Sequence, residues 1–276
     1  MNDRFFISLP GRLIQSNAAE LFVAEEGSGP VVLLIHGLGW SHAMWRGVIA
    51  KLSGQYRVIA GDTRGHGASE KSPGPYTMEQ LAADWLGILD AAGVERCAVI
   101  GLSQGGMVAM LLAAMAPDRI AALGLLGTAC HFPDAAWAGM QERGRIAREM
   151  GARAAAEHTS RTLFSPGFAS QNPSLIAEFI ENRLSASAAA LGAATASLQG
   201  FDVRSRLSEV RVPVLIMHGT EDTVISAASA AETGRLLPQA ETVMIEGAGH
   251  ILPVERPDIV GAQLQRFLLR HYPPSE

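Results

Sequence analysis

Cysteine is almost absent from this chain of 276 residues: Cys97 and Cys130 are the only two. Such a pair cannot build a disulfide framework, and its spacing does not suit a metal site. Charge is scarce too, at 18% of residues, with 22 Lys+Arg against 27 Asp+Glu and a net charge of −5. A surface that tracks phosphates needs a basic excess, so nucleic acid is not an expected partner. Long hydrophobic runs are missing: residues 31–35 and 109–116 fall well short of the roughly 20 apolar residues that cross a bilayer. No membrane span is expected. The opening MNDRFFISLPGR lacks a basic region followed by an apolar stretch and a small-residue cleavage site, so no signal peptide is read. A cytoplasmic address is the default expectation.

What is present is enough apolar material for a substantial core, with 48% hydrophobic residues. At roughly 100–200 residues per domain, one α/β unit with an insertion fits the length. Strand-like runs at 21–25, 31–35, 57–61, 97–100, 122–126, 214–218 and 242–245 alternate with helical runs at 78–92, 104–116, 226–237 and 257–269. That alternation predicts a mostly parallel central sheet with helices on both faces, the strands apolar throughout because both faces are covered. Residues 129–206 break the pattern, being rich in Ala and Arg, helical in period and without a strand. They read as a helical cap inserted into a core made of residues 1–128 and 207–276, with helices at 135–150, 153–163, 173–185 and 188–198 and a loop at 165–173.

The sharpest chemical signal is Gly101-Leu102-Ser103-Gln104-Gly105-Gly106, directly after one strand and directly before an apolar helix. Gly-x-Ser-x-Gly in that context is a nucleophile elbow, although Gly-rich turns also serve nucleotide-binding folds. The sharp turn presents Ser103 above the sheet, and the helix behind it aims unpaired N–H groups at the same point. A hydroxyl at neutral pH needs a base held by a third group. His250, in Gly247-Ala248-Gly249-His250, and Asp222, in His218-Gly219-Thr220-Glu221-Asp222, each follow a strand and complete the chain order Ser, Asp, His. Glu221 is the competing acid. The loop His36-Gly37-Leu38-Gly39 follows another strand, so the backbone N–H groups of Leu38 and Gln104 are assigned to an oxyanion hole. His36 either serves as a second base or braces that loop. The segment from Gly61 to Ser69, GDTRGHGAS, lacks the ending of a phosphate-binding loop and reads as structural. No cofactor and no metal are implied. Trp137 lines a pocket or belongs to the core, and the arginines Arg143, Arg145, Arg148, Arg153 and Arg161 are candidates to hold a substrate carboxylate, Arg145 being the one assigned.

The combination HGLG, GDTRGHGAS, GLSQGG, HGTED and GAGH, in that order, resembles the α/β-hydrolase superfamily over nearly the whole chain. Within it, GLSQGGMV, APDRI, LFSPGF and VERP are similar to stretches of the 3-oxoadipate enol-lactonases and neighbouring small carboxylic-ester and lactone hydrolases. The resemblance implies a cofactor-independent serine hydrolase of a small, carboxylate-bearing molecule, working as a monomer or homodimer. Leu163 stands where those lactonases tend to have Trp, which implies a differently shaped pocket lined by Leu163 and Ile251. Three alternatives stay open: a C–C or C–N bond hydrolase of a ring-degradation intermediate, a cofactor-free oxygenase, and a slow-turnover ligand receptor on the same fold.

Overall fold

The computed structural model describes residues 8–17 and 19–274, and its eight strands form a single sheet. The expectation of no leader rests on residues 1–12, of which 1–7 lie outside the described residues. In chain order the strands are β1 (Gly11–Ser16), β2 (Ala19–Glu26), β3 (Val31–Ile35), β4 (Arg57–Gly61), β5 (Cys97–Leu102), β6 (Ile120–Leu126), β7 (Val214–Gly219) and β8 (Ala240–Ile245). In space they run β1-β2-β4-β3-β5-β6-β7-β8. The β1/β2 and β2/β4 pairs are antiparallel, and every neighbour from β4 to β8 is parallel.

The helices around the sheet are α1 (Arg46–Leu52), α2 (Met78–Ala91), α3 (Gln104–Met115), α9 (Ala227–Leu236), α10 (Leu252–Glu255) and α11 (Pro257–His271). Between α3 and α9 lie α4 (Asp134–Met150), α5 (Ala152–Leu163), α6 (Pro166–Gln171), α7 (Pro173–Ser185) and α8 (Ala188–Ala196). Strand β3 shows why a continuous apolar run is needed here. Val31, Leu33 and Ile35 join the cluster that contains Leu81, Trp85 and Met107, whereas Val32 and Leu34 join the one that contains Trp45, Val260 and Phe267. Alternate residues thus fill opposite layers, each large side chain contributing about 1.5–3 kcal/mol of burial. Helix α3 crosses the middle of the molecule and is buried from Gln104 to Ala114, which is why its sequence is apolar all round.

Strand β1 and the short helices α1 and α10 escaped the sequence pattern. Strand β1 buries only Ile14 and Ser16, and such a polar edge strand leaves almost no periodic signal. Helix α1 spans only seven residues, too few for a helical period to stand out. The expected loop at 165–173 contains α6, opened by Ser165, whose Oγ accepts the Phe168 N–H at 3.3 Å, and by Pro166 in the first turn.

Helices α4–α8 all fall between β6 and β7. Their two connections meet in a short antiparallel bridge, His131 against Asp202, where Phe132 N–H donates to Phe201 O at 2.9 Å and Val203 N–H to Cys130 O at 2.9 Å. This neck sits just inside the expected 129–206 limits. No helix among the described residues is long and apolar enough to cross a membrane.

Candidate active site

Parallel strands bring their carboxyl ends to one edge of the sheet, and four of those ends carry the residues singled out above. Ser103 directly follows β5, with φ 53° and ψ −118°. This is a conformation that an L-residue adopts only at a cost of order 1–3 kcal/mol, so the surroundings must enforce it. They do so with hydrogen bonds: Ser103 N–H donates to Leu126 O at 2.9 Å, while Ser103 O accepts from Gly106 N–H at 2.9 Å and from Thr128 Oγ1 at 2.8 Å. Two glycines make the turn possible. A Cβ on Gly101 would collide with the Gly105 carbonyl, and one on Gly105 with the Ile35 carbonyl at the end of β3.

Asp222 and His250 come from the loops after β7 and β8. Their side chains are almost wholly buried, with His250 Nδ1 2.8 Å from Asp222 Oδ2. The other carboxylate oxygen, Oδ1, accepts the Val224 and Ile225 N–H groups at 2.8 and 3.0 Å. Burial alone would raise the Asp222 carboxyl, but the charge and hydrogen bond of His250, with help from His218 and the Ile225 N–H, outweigh it and hold the group below its ordinary value. An ionised Asp222 fixes the His250 proton on Nδ1 and leaves Nε2 for a second partner. Glu221, the competing acid, is exposed to solvent.

Ser103 and His250 line one narrow cleft with Leu38, Leu163, Ile251 and Arg143. Gln104 opens α3 beside Ser103, so its backbone N–H is one of the helix donors without an intrahelical acceptor. Leu38 lies in a turn closed by Trp40 N–H donating to Gly37 O at 3.1 Å. His36 braces this loop, since its Nδ1 lies 2.7 Å from Gly37 O and its Nε2 accepts Thr63 N–H at 2.9 Å. Burial lowers its pKa, and with both nitrogens engaged it is no second base. The GDTRGHGAS segment packs beside the loop, Asp62 Oδ1 accepting from His42 N–H at 2.7 Å and facing His42 Nδ1 at 2.8 Å.

A larger cavity of about 490 Å³ continues from the cleft into the inserted helices and shares Leu38, Met140 and Arg143 with it. Trp137 lines this cavity. Arg145 does not, and its assignment is corrected. It points outward, half exposed, and its guanidinium is held 2.6 Å from Glu142 and 2.5 Å from Glu149 on the same helix. Two positions along a helix turn a side chain by about 200°, so Arg143 faces inward where Arg145 cannot.

The side chains of Glu255 and Gln104 stand in the VERP and GLSQGG motifs, which assign them no role of their own. Glu255 Oε2 accepts Gly249 N–H at 3.0 Å and Ser165 N–H at 3.1 Å, tying the His250 turn to the end of α5, and His250 N–H donates to Leu163 O at 2.9 Å. Gln104 Nε2 donates to Ala194 O at 3.0 Å, which fastens α8 to the residue after Ser103. The ligand-type atoms of Cys130, His131 and Glu232 lie within 4.8 Å of one another at the neck of the insertion. Arg204 already pairs with Glu232 at 3.3 Å, which opposes a cation there.

Residues 30–257 match the sequence profile of the alpha/beta hydrolase fold family. The chain belongs to that family. It is 31% identical to 3-oxoadipate enol-lactonase 2 of Acinetobacter baylyi over 243 residues, covering 86% of this chain and 90% of that protein. Among solved structures, the enol-lactonase from Burkholderia xenovorans LB400 superposes with a TM-score of 0.87 at 30% identity, covering 93% of this chain and 99% of that one. A thermophilic esterase from Thermogutta terrifontis superposes with a TM-score of 0.86, also at 30% identity, over 95% of this chain and all (100%) of that one. This α/β hydrolase therefore has hydrolase relatives over most of its length.

Proposed function

We propose that the chain is a cofactor-independent serine hydrolase of small carboxylic esters or lactones. Ser103 attacks the acyl carbon as His250 Nε2 removes its proton, and the Leu38 and Gln104 N–H groups hold the oxyanion. Asp222 stabilises the imidazolium, which then protonates the leaving alkoxide or enolate. Water, deprotonated by His250, attacks the acyl-enzyme and releases the acid and free Ser103. Helices α4–α8 act as a cap that shields these steps from bulk water. The observation that carries this reading is the strained Ser103 in the same cleft as His250, whose Nδ1 lies 2.8 Å from a buried Asp222. The similarity to enol-lactonases and an esterase supports the ester or lactone substrate.

The test is steady-state hydrolysis of 3-oxoadipate enol-lactone, of simple aryl esters and of a meta-cleavage dienoate, together with labelling by a fluorophosphonate. Ser103→Ala is expected to abolish labelling and to lower turnover by about 10⁴- to 10⁶-fold. Labelling or turnover that survives this change overturns the assignment. Ser103-dependent turnover of the dienoate alone transfers the reading to C–C hydrolysis.

A further inference from the structure

Two arginines of the inserted helices, Arg143 and Arg183, line the interior cavity, which Arg145, Arg148, Arg153 and Arg161 do not. Arg143, on α4, lines both the cleft shared by Ser103 and His250 and the larger cavity behind it. Arg183, on α7, lines that cavity, donates from Nη1 to Gly39 O at 3.2 Å and lies 5.6 Å from the Phe179 ring centroid. Its guanidinium rests on Gly39, where any Cβ would collide with it. Among the described residues no carboxylate lies within ion-pair distance of either. By contrast, Arg145 and Arg153 on the outside are paired with glutamates.

Placing two like charges in a partly dry pocket without a counter-charge is unfavourable, and an anion between them removes the cost. Burial lowers the pKa of both, and Arg183 is pushed down to about 10 by burial and by the charge of Arg143. Apart from Thr159 and Thr195 the rest of the cavity wall is apolar, with small side chains such as Ala152, Ala155, Ala156 and Ala188 beside the larger Leu38, Trp137 and Met140. We infer that Arg143 and Arg183 form a carboxylate subsite, and that the substrate is an acyl compound bearing a second, free carboxylate on the cap side of its scissile bond, with an apolar body against the alanine wall. Arg143 holds the carboxylate and Arg183 adds positive potential while anchoring the cap to the oxyanion loop. The substrate part of this inference rests on the serine-hydrolase reading, but the anion site does not.

Two measurements separate them. The first compares kcat/KM for mono-4-nitrophenyl adipate with that for 4-nitrophenyl hexanoate, which differ in the terminal carboxylate. Arg143→Met is expected to lower the adipate-to-hexanoate ratio by about 10- to 100-fold, with partial recovery in Arg143→Lys. The second is calorimetric titration of adipate into Ser103→Ala, which needs no turnover. Binding is expected, weakened by added salt and lost in Ser103→Ala/Arg143→Met. An unchanged ratio in Arg143→Met overturns the subsite, as does the absence of adipate binding or its indifference to Arg143. Arg143-dependent adipate binding without Ser103-dependent turnover of either ester leaves the subsite standing and removes the hydrolase reading.

Discussion

The sheet and the inserted helices obey different rules. In the sheet, β3, β5, β6 and β7 bury every residue, and the glycines at the elbow are fixed by backbone atoms that a side chain would strike. In the insertion, α4 buries only Ala136 and Ile146 of its 17 residues, and Gly139, Gly167 and Gly192 would meet nothing within 4 Å if they carried a Cβ. The first region is constrained by its own packing, which leaves one arrangement for Ser103 and the turn that carries it. In the second, α4 borders a cavity of about 490 Å³, while Phe164, Phe168 and Phe179 pack into the core beside it.

The same substitution made in both regions should break the symmetry of a simple Gly→Ala rule. Gly105→Ala drives a Cβ into the Ile35 carbonyl and displaces the turn that holds Ser103. Destabilisation of about 1–3 kcal/mol is expected, with loss of most activity. Gly139→Ala, inside α4 and facing open space, should stabilise by up to about 1 kcal/mol through helix propensity alone. Urea denaturation of both variants checks the pair, and equal effects would dissolve the distinction drawn here.

Acid should sharpen the contrast, because the core holds histidines that fold in the neutral form. His66 is buried, its pKa pushed down to about 3 by burial and by neighbouring His36, whose ring centroid is 5.0 Å away. Its folded pKa lies below the unfolded value of about 6.5, so below that pH the unfolded chain binds the extra proton. The stability it contributes is complete above about pH 6.5 and is lost as the pH falls toward the folded value of about 3, at about 1.4 kcal/mol per pH unit. His36 is shifted in the same direction by burial. Thermal midpoints from pH 7 to 5 should therefore fall for the wild type and fall less steeply for His66→Asn. Parallel slopes would show that His66 is not the neutral, buried group described.

This division also explains what could be read from the sequence. Ser103 and Asp222 were legible because they follow β5 and β7, whose wholly buried apolar runs announce the sheet edge where they end, whereas β8, ahead of His250, buries only Ile245 and gave a shorter signal. Strand β1 was not, since Ile14 and Ser16 are its only buried residues. Glu255 showed only as part of the VERP stretch and Gly127 not at all, because they act through backbone groups brought together by distant loops. A Cβ on Gly127 would stand 3.3 Å from His250 Nδ1, a constraint visible only in three dimensions. Among the arginines of the inserted helices, Arg143 lines the cavity and Arg145 does not, a difference the sequence pattern did not separate. Helix α4 is polar or alanine on several sides, so its periodicity does not fix which arginine faces inward.

The smallest expected effect is therefore the one that tests the inside–outside assignment within α4. Arg145 lies in an exposed network with Glu142 and Glu149 on its own helix, and such pairs are screened by water and salt. Arg145→Met should leave the thermal midpoint nearly where it is and change the adipate-to-hexanoate selectivity by less than about two-fold. The same replacement two residues earlier removes a guanidinium that lines the cleft with Ser103. If Arg145→Met lowers that selectivity as much as Arg143→Met does, long-range field and not contact controls the preference. The effect of Arg145→Met should then shrink as ionic strength rises, whereas that of a contacting Arg143 persists at salt concentrations that screen exposed charges.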